Sequence, residues 1–241
     1  MNESIPLIYH PENRIGRITI NREAQRNALS PESLTLFHEA LDGAEADAEV
    51  RVVCVTGAGD QAFCAGADLG GMSADSGSVI ANYANLLKRL AGFPKPVVAR
   101  VNGTCMAGGL GIMLACDIVI ACRDARFGAP EVNVGLFPMM IGALIYRNVP
   151  RKKAMEMVLT GRRLTAEEAL EMGLVTRIVA REDLDATMLP THFEGVLPAD
   201  PGKIVAYAEV CRPLSRSPAS RIFWFAFFHV EEKEQRESPP T

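Results

Sequence analysis

Residues 106–117 read Met-Ala-Gly-Gly-Leu-Gly-Ile-Met-Leu-Ala-Cys-Asp. Gly108, Gly109 and Gly111 lead straight into an apolar helical stretch that closes at Asp117. A helix start presents unpaired N–H groups and the positive end of the helix dipole. With no Cβ in the way, a ligand atom can come close to that backbone. The chain has no GxxxxGK[ST] pattern, and without a lysine to meet a phosphate the better guest is an oxyanion. Read alone, the turn is explained as well by tight packing, so its neighbours have to decide.

Outward from this turn, short apolar runs alternate with helical patterns. Val97–Val101 and Asp117–Ala121 flank it as strands, and Val52–Thr56, β-branched and closed by Gly57, reads as a buried one. Arg14–Ile20 alternates apolar and polar residues, as a half-buried strand does. Ser30-Pro31 opens a helix, serine as N-cap and proline at the first position, with Leu34, Phe37, Leu41 and Ala44 on its buried face. Tyr83, Leu86, Leu87 and Leu90 recur at helical spacing over 79–90, ahead of Pro94 and Pro96. Thr165-Ala-Glu-Glu168 is a capping box, Gly173 a C-cap, and Leu174–Val179 a short strand. Strands alternating with helices predict an α/β domain with a largely parallel sheet. Beyond about residue 190, Pro, Ser and Arg become common and helical periodicity fades, so 1–190 is read as the core domain and 191–241 as an atypical C-terminal segment.

Composition narrows the function. At 241 residues and 48% hydrophobic, the chain can bury a sizeable core, and it has no stretch of about 20 apolar residues, so no membrane partner is expected. The start, MNESIPLIYH, has no secretory pattern, and a cytoplasmic location is expected. A formal charge of −4 without basic clusters argues against a nucleic-acid partner. The cysteines at 54, 64, 105, 116, 122 and 211 form no CxxC pair and read as reduced, mostly buried thiols rather than metal ligands. Gly57-Ala-Gly59-Asp-Gln-Ala62 has the form of a dinucleotide fingerprint. No helix pattern follows at once, and no acidic residue stands about 20 positions on. There is no GxSxG elbow.

Several segments then stand in order: Asn21-Arg22 with Asn27-Ala28-Leu29, Phe63-Cys-Ala-Gly-Ala-Asp68, Lys95-Pro-Val-Val-Ala-Arg-Val-Asn-Gly103, the glycine turn with Cys116-Asp117, Phe127-Gly-Ala-Pro-Glu131, Met157-Val-Leu-Thr-Gly161, and Ala169 with Gly173-Leu-Val175. This set, over roughly residues 12–180, resembles the crotonase (enoyl-CoA hydratase/isomerase) superfamily. The resemblance implies a spiral of repeated ββα units, a homotrimer or dimer of trimers, and action on coenzyme A thioesters with no cofactor beyond the CoA of the substrate. By position it makes the N–H groups of Ala67 and Gly108 an oxyanion hole for the thioester oxygen. It places Ala65, Asp68 and Leu69 near the adenosine of CoA, and Ala24, Arg26 and Ala28 toward its pantetheine and phosphate end. Gly111, Pro130, Leu136 and Met139 then fall along the substrate.

Family hydratases carry two glutamates, one on the helix after the glycine turn and one after the Phe-Gly-x-Pro segment. Here the first position is Gly111 and the second is Glu131. Glu131 lies in an apolar run, where desolvation raises a carboxylate toward the working range of a general base. The alternative is a helix-start glutamate paired with an arginine. One base beside an oxyanion hole suits a double-bond shift from β,γ to α,β. Hydration of a trans-2-enoyl-CoA is the alternative, and a non-catalytic acyl-CoA binder the rival from another class. Gly135-Leu-Phe-Pro-Met-Met-Ile141 reads either as an adaptable acyl pocket or as plain core. Arg22 and Arg26 read as phosphate contacts or solvated charges, and Asp117 as the residue that orders the next strand.

Overall fold

The computed structural model of the chain describes residues 5–67 and 76–188. Asp68, Leu69 and the C-terminal segment 191–241 lie outside the described residues. The first sheet has six strands: β1 (Leu7–Glu12), β2 (Ile15–Ile20), β3 (Val52–Gly57), β5 (Val97–Val101), β7 (Ile118–Cys122) and β10 (Arg177–Val179), in the spatial order β1-β2-β3-β5-β7-β10. Only the β1–β2 pair is antiparallel. All six residues of β3 are buried, as expected of a strand covered on both faces. A second sheet of very short strands, β4 (Ala62–Cys64), β6 (Thr104–Met106), β8 (Arg126–Gly128) and β9 (Leu164–Thr165), runs in the order β4-β6-β8-β9.

The two sheets are threaded together by a repeat. A strand of the first sheet passes through a tight turn into a strand of the second, and a helix follows. Thus β3 leads to β4 and α2 (Ser76–Ala91), β5 to β6 and α3 (Gly108–Ala115), and β7 to β8 and α4 (Met139–Asn148). This is the expected succession of ββα units. The turns are fastened by buried amides. Asn102, between β5 and β6, accepts from the Gly57 N–H at 3.2 Å and donates to the carbonyls of Gly59 (2.8 Å) and Ala62 (3.2 Å). Asn27, fully buried, donates to Ala58 O at 3.0 Å and Ala62 O at 2.7 Å. Asp117, at the foot of β7, accepts from the Val97 N–H at 2.8 Å and so orders the next strand as expected.

The helices follow their local signals. In α1 (Pro31–Ala46) the Ser30 side chain accepts from the Ser33 N–H, and Ser33 closes the capping box. Leu34, Phe37, Leu41 and Ala44 are all buried. At its far end Lys95 Nζ donates to Ala44 O and Asp47 O, both at 2.6 Å, which satisfies carbonyls that the helix leaves open. The capping box of Thr165 and Glu168 opens α6 (Ala166–Glu171), after α5 (Arg151–Thr160). By contrast α3 is buried on every side from Gly109 to Ala115 and carries no polar face. Its bare start answers a packing demand in part. A Cβ on Gly109 would stand 2.3 Å from Cys64 O. Of the cysteines, 54, 64, 105 and 122 are buried free thiols, with the Cys54 thiol pushed up to about 11 and Cys64 to about 12 by burial.

Candidate active site

Strands β4, β6 and β8 are parallel neighbours, so the segments that follow them leave the second sheet at one edge. Ala67 comes three residues after β4, Gly108 two after β6, and Glu131 three after β8. Topology therefore brings the segments that carry these three residues to the same side of the small sheet.

The first two are in contact range through their main chains. A Cβ built on Gly108 would lie 3.5 Å from the Ala67 nitrogen and 3.5 Å from Gly66 Cα. Gly66 has φ +103°, and a Cβ there would meet Ala107 Cβ at 2.9 Å and the Gly108 nitrogen at 3.0 Å, so only glycine admits this approach. The hydrogen bonds that pin the loops use neighbouring groups. Leu29 N donates to Gly66 O at 2.8 Å, Ala65 N to Arg26 O at 3.1 Å, and Ala107 N to Gly128 O at 3.0 Å. Among the described residues none of these bonds takes up the Ala67 or Gly108 N–H, and Gly108, first in α3, has no intrahelical acceptor. Ala107, just before it, holds φ +47° and ψ −125°, a region unfavourable for any side chain. The backbone is thus forced to bring two amides together.

Glu131 sits in the first turn of a 3₁₀ helix, Pro130–Val134, behind a proline at its start. Its Oε2 is buried and, among the described residues, has no hydrogen-bond partner. Burial raises its pKa above the ordinary carboxylate value, and its own backbone N–H offsets only part of this. Among the described residues it forms no ion pair, so the paired-arginine alternative does not hold here. A buried carboxylate oxygen without a partner is costly, and such groups concentrate where chemistry uses them.

The position of the absent first glutamate is closed. A Cβ on Gly111 would stand 2.3 Å from Tyr83 Oη and 2.6 Å from Ile141 Cγ2. Tyr83, from α2, is 8% exposed, and its hydroxyl donates to Gly108 O at 2.5 Å. The helical spacing of Tyr83 with Leu86, Leu87 and Leu90 predicts a core face. That holds for the ring, while the hydroxyl reaches the glycine turn.

The remaining expected residues divide. Ala24 and Arg26 are exposed, and Arg26 lies beside Ala65, whose N–H donates to its carbonyl. Ala28 is buried, and its carbonyl accepts from Arg22 at 2.7 Å, which gives Arg22 a structural role in the loop. Pro130 is half-buried beside Glu131. Leu136 is 58% exposed and Met139 79% exposed, with Phe137 at 56%, so the core reading fails for these three, while Met140 packs against the core and Ile141 lies within it. No described helix is long and apolar enough to cross a membrane, and no group of three or more His, Cys, Asp or Glu among the described residues could hold a metal ion.

Comparison with known proteins places the chain in a family. Residues 10–194 match the family model described as enoyl-CoA hydratase/isomerase. A putative enoyl-CoA hydratase of Thermus thermophilus is 41% identical over 172 residues, covering 68% of this chain and 67% of that protein. The putative enoyl-CoA hydratase/isomerase YngF of Bacillus subtilis is 40% identical, covering 69% of this chain and 66% of that protein, so the alignments span about two thirds of these two relatives. The (E)-benzylidenesuccinyl-CoA hydratase of Thauera aromatica is 34% identical over 84% of this chain and 80% of its own length. Among solved structures, an enoyl-CoA hydratase of Mycobacterium smegmatis superposes with TM-score 0.82 at 30% identity, covering 97% of this chain and 92% of that one. With a crotonase fold in its solved neighbours and the family model matched along most of its length, the chain belongs to the enoyl-CoA hydratase/isomerase family.

Proposed function

We propose that the protein binds an acyl-CoA thioester and shifts a β,γ double bond to the α,β position. The Ala67 and Gly108 amides hold the thioester oxygen, and Glu131 moves the proton. The Glu131 carboxylate removes a proton from the α-carbon. The electron pair of that C–H bond delocalises through the alkene and the thioester, giving a dienolate whose negative oxygen sits between the two amides. Glu131 then returns the proton at the γ-carbon, the carbonyl re-forms, and the carboxylate is regenerated. No redox partner is consumed. Each oxyanion donor in a dry site is worth about 2.7–4 kcal/mol of transition-state stabilisation. A placed base contributes about 10²–10⁴-fold. Coenzyme A enters as part of the substrate, and the reading requires no resident metal or cofactor.

The observation that carries this reading is the unpartnered, buried Glu131 oxygen in a site whose Gly111 position is shut by Tyr83 and Ile141. One carboxylate can shuttle one proton between two carbons. Water addition asks for a group to activate water and another to protonate the α-carbon. Hydration is nonetheless the second reading, favoured by the names of relatives such as the short-chain-enoyl-CoA hydratase of Clostridium acetobutylicum, 34% identical over 89% of this chain. The reading also takes the exposed Ala24 and Arg26 as the approach of CoA, and Leu136 and Met139 as the acyl side. A homotrimer, or a dimer of trimers, in the reducing cytoplasm fits the exposed apolar residues and the free thiols.

The test is product mass. The purified protein is incubated with a β,γ-enoyl-CoA and separately with a trans-2-enoyl-CoA. An isomer of unchanged mass from the first substrate supports the double-bond shift. Gain of one water on the second, with no isomerisation of the first, favours hydration. Binding of both without turnover marks a non-catalytic acyl-CoA binder.

A further inference from the structure

The strained peptide between Ala107 and Gly108 carries one of the two amides of the site, yet neither residue has a side chain able to hold it. Ala107 lies at φ +47°, ψ −125°. Gly108 opens a helix with two glycines in its first three following positions. The carbonyl of this peptide is held by the first turn of α3, where Leu110 N donates to Ala107 O at 2.9 Å and Gly111 N at 3.4 Å, and two further bonds brace the peptide from either side. One anchor lies on the N-terminal side, where Ala107 N donates to Gly128 O at 3.0 Å. The other lies on the C-terminal side, where Tyr83 Oη donates to Gly108 O at 2.5 Å. The same oxygen is 3.4 Å from a Cβ built on Gly108 and 2.3 Å from one built on Gly111, so it is wedged against the first turn of α3. Its ring is held by burial within the core.

We propose that Tyr83 is a positioning residue for the oxyanion site: its hydroxyl clamps Gly108 and so aims the Gly108 N–H at the thioester oxygen. Tyr83 is not the proton carrier. A phenol has one hydrogen to donate, and Gly108 O takes it. Burial, with the nearby Glu131 charge contributing, also raises the phenol well above its ordinary value, so it stays protonated. The clamp closes Gly111 with the same atom, which links the aim of the amide to the exclusion of a side chain at that position. The role rests on acyl-CoA binding as read above, but not on which of the two reactions follows.

The experiment uses the full-length protein and its Tyr83→Phe variant, which keeps the ring and removes the O–H. A saturated acyl-CoA labelled with ¹³C at the thioester carbonyl is the probe, and its carbonyl stretch is read by isotope-edited Raman or infrared difference spectroscopy. In the wild type the band falls below its position in solution, because the two amides polarise the carbonyl. In Tyr83→Phe it returns part of the way, kcat drops by about tenfold, KM hardly moves, and the melting temperature falls by no more than the about 2–4 °C that one lost hydrogen bond costs. A band and kcat equal to wild type would overturn the clamp. So would a variant that loses melting temperature, KM and kcat together with an unshifted band, which describes ordinary packing. If the wild type itself binds no acyl-CoA, the functional reading fails first and the clamp with it. An active wild type with an indifferent Tyr83→Phe sinks the clamp alone.

Discussion

Glu131 combines two properties that surface carboxylates do not share: a buried oxygen without a partner and a pKa raised by desolvation. Replacing it with glutamine keeps the shape and removes the base, and turnover should fall by about 10²–10⁴-fold with substrate affinity largely kept. The same change should alter stability with a defined sign. Because the folded-state pKa lies above the unfolded one, the folded protein binds the proton more tightly. The stability this confers is complete below the unfolded value and is lost as pH rises through the folded value. Once ionised, the buried carboxylate therefore burdens the fold. Glu131→Gln should melt higher than wild type at pH 7, and the two should converge below the ordinary carboxylate range. A melting difference that stays constant with pH would show that burial does not govern this group. Gly111 offers a second residue-scale expectation. Gly111→Ala drives a methyl into Tyr83 Oη and Ile141 Cγ2 and should cost about 1–3 kcal/mol by overpacking. In the Tyr83→Phe background the cost should shrink, because one of the two obstructing atoms is gone. Denaturant titration of the four proteins in the cycle measures that coupling directly.

Short elements carry the site, and buried amides hold them. Asn102 joins the β3-to-β4 connection with the turn from β5 to β6 through four hydrogen bonds, one of them from Thr56 Oγ1, and β4 leads to Ala67. Asn102→Ala leaves the Gly57 N–H and two carbonyls without this partner. Ala62 O keeps its bond from Asn27, so the cost, about 1–3 kcal/mol for each group left unsatisfied, falls on the Gly57 N–H and Gly59 O, and the edge strand β4 should lose hydrogen-exchange protection before the first sheet does. Uniform loss across both sheets would mean that the asparagine does not join them. This layer also marks where the sequence stopped being readable. The long elements were written locally: Ser30-Pro31 for α1, the β-branched run for β3, Thr165 and Glu168 for α6. Strand β1 went unread beside its partner β2, and the Leu174–Val179 strand shortened to Arg177–Val179. Strands β4, β6 and β8 are three residues each, too short for any period to register, and they exist because neighbours pair with them. The paired amides and Glu131 were visible only through the ordered family motifs. Tyr83 escaped because helical spacing reports where a ring packs and says nothing of where its hydroxyl ends. The stretch from Gly135 to Ile141 reads equally as core or pocket, and it divides: Leu136, Phe137 and Met139 are exposed, while Met140 and Ile141 join the core.

At the scale of the whole molecule, the ββα repeat presents the candidate site beside the small sheet, and several large apolar side chains near it are exposed. Val134 is 66% exposed, Leu136 58%, Phe137 56% and Met139 79%, all within or just after the 3₁₀ turn that carries Glu131. Helix α5 packs against that turn and adds Leu159 at 60% exposure. Side chains of this kind, adjacent and unburied, mark surfaces that associate. Two demands then fall on one segment, since Leu136 and Met139 are also the expected acyl side of the site, whereas Val134 lies nearer the packed turn. If subunits meet through this surface, assembly and catalysis are coupled through the backbone of Pro130–Val134. Sedimentation equilibrium on the full chain should then give a mass of three or six protomers. Val134→Glu, which places a charge on that surface without touching the paired amides or Glu131, should shift the distribution toward single chains. Activity should fall with the assembled fraction and recover at high protein concentration, as mass action requires. A wild type that sediments as one chain, or a Val134→Glu variant that dissociates at full activity, would separate assembly from the chemistry of the site and leave Glu131 held in place by its own chain.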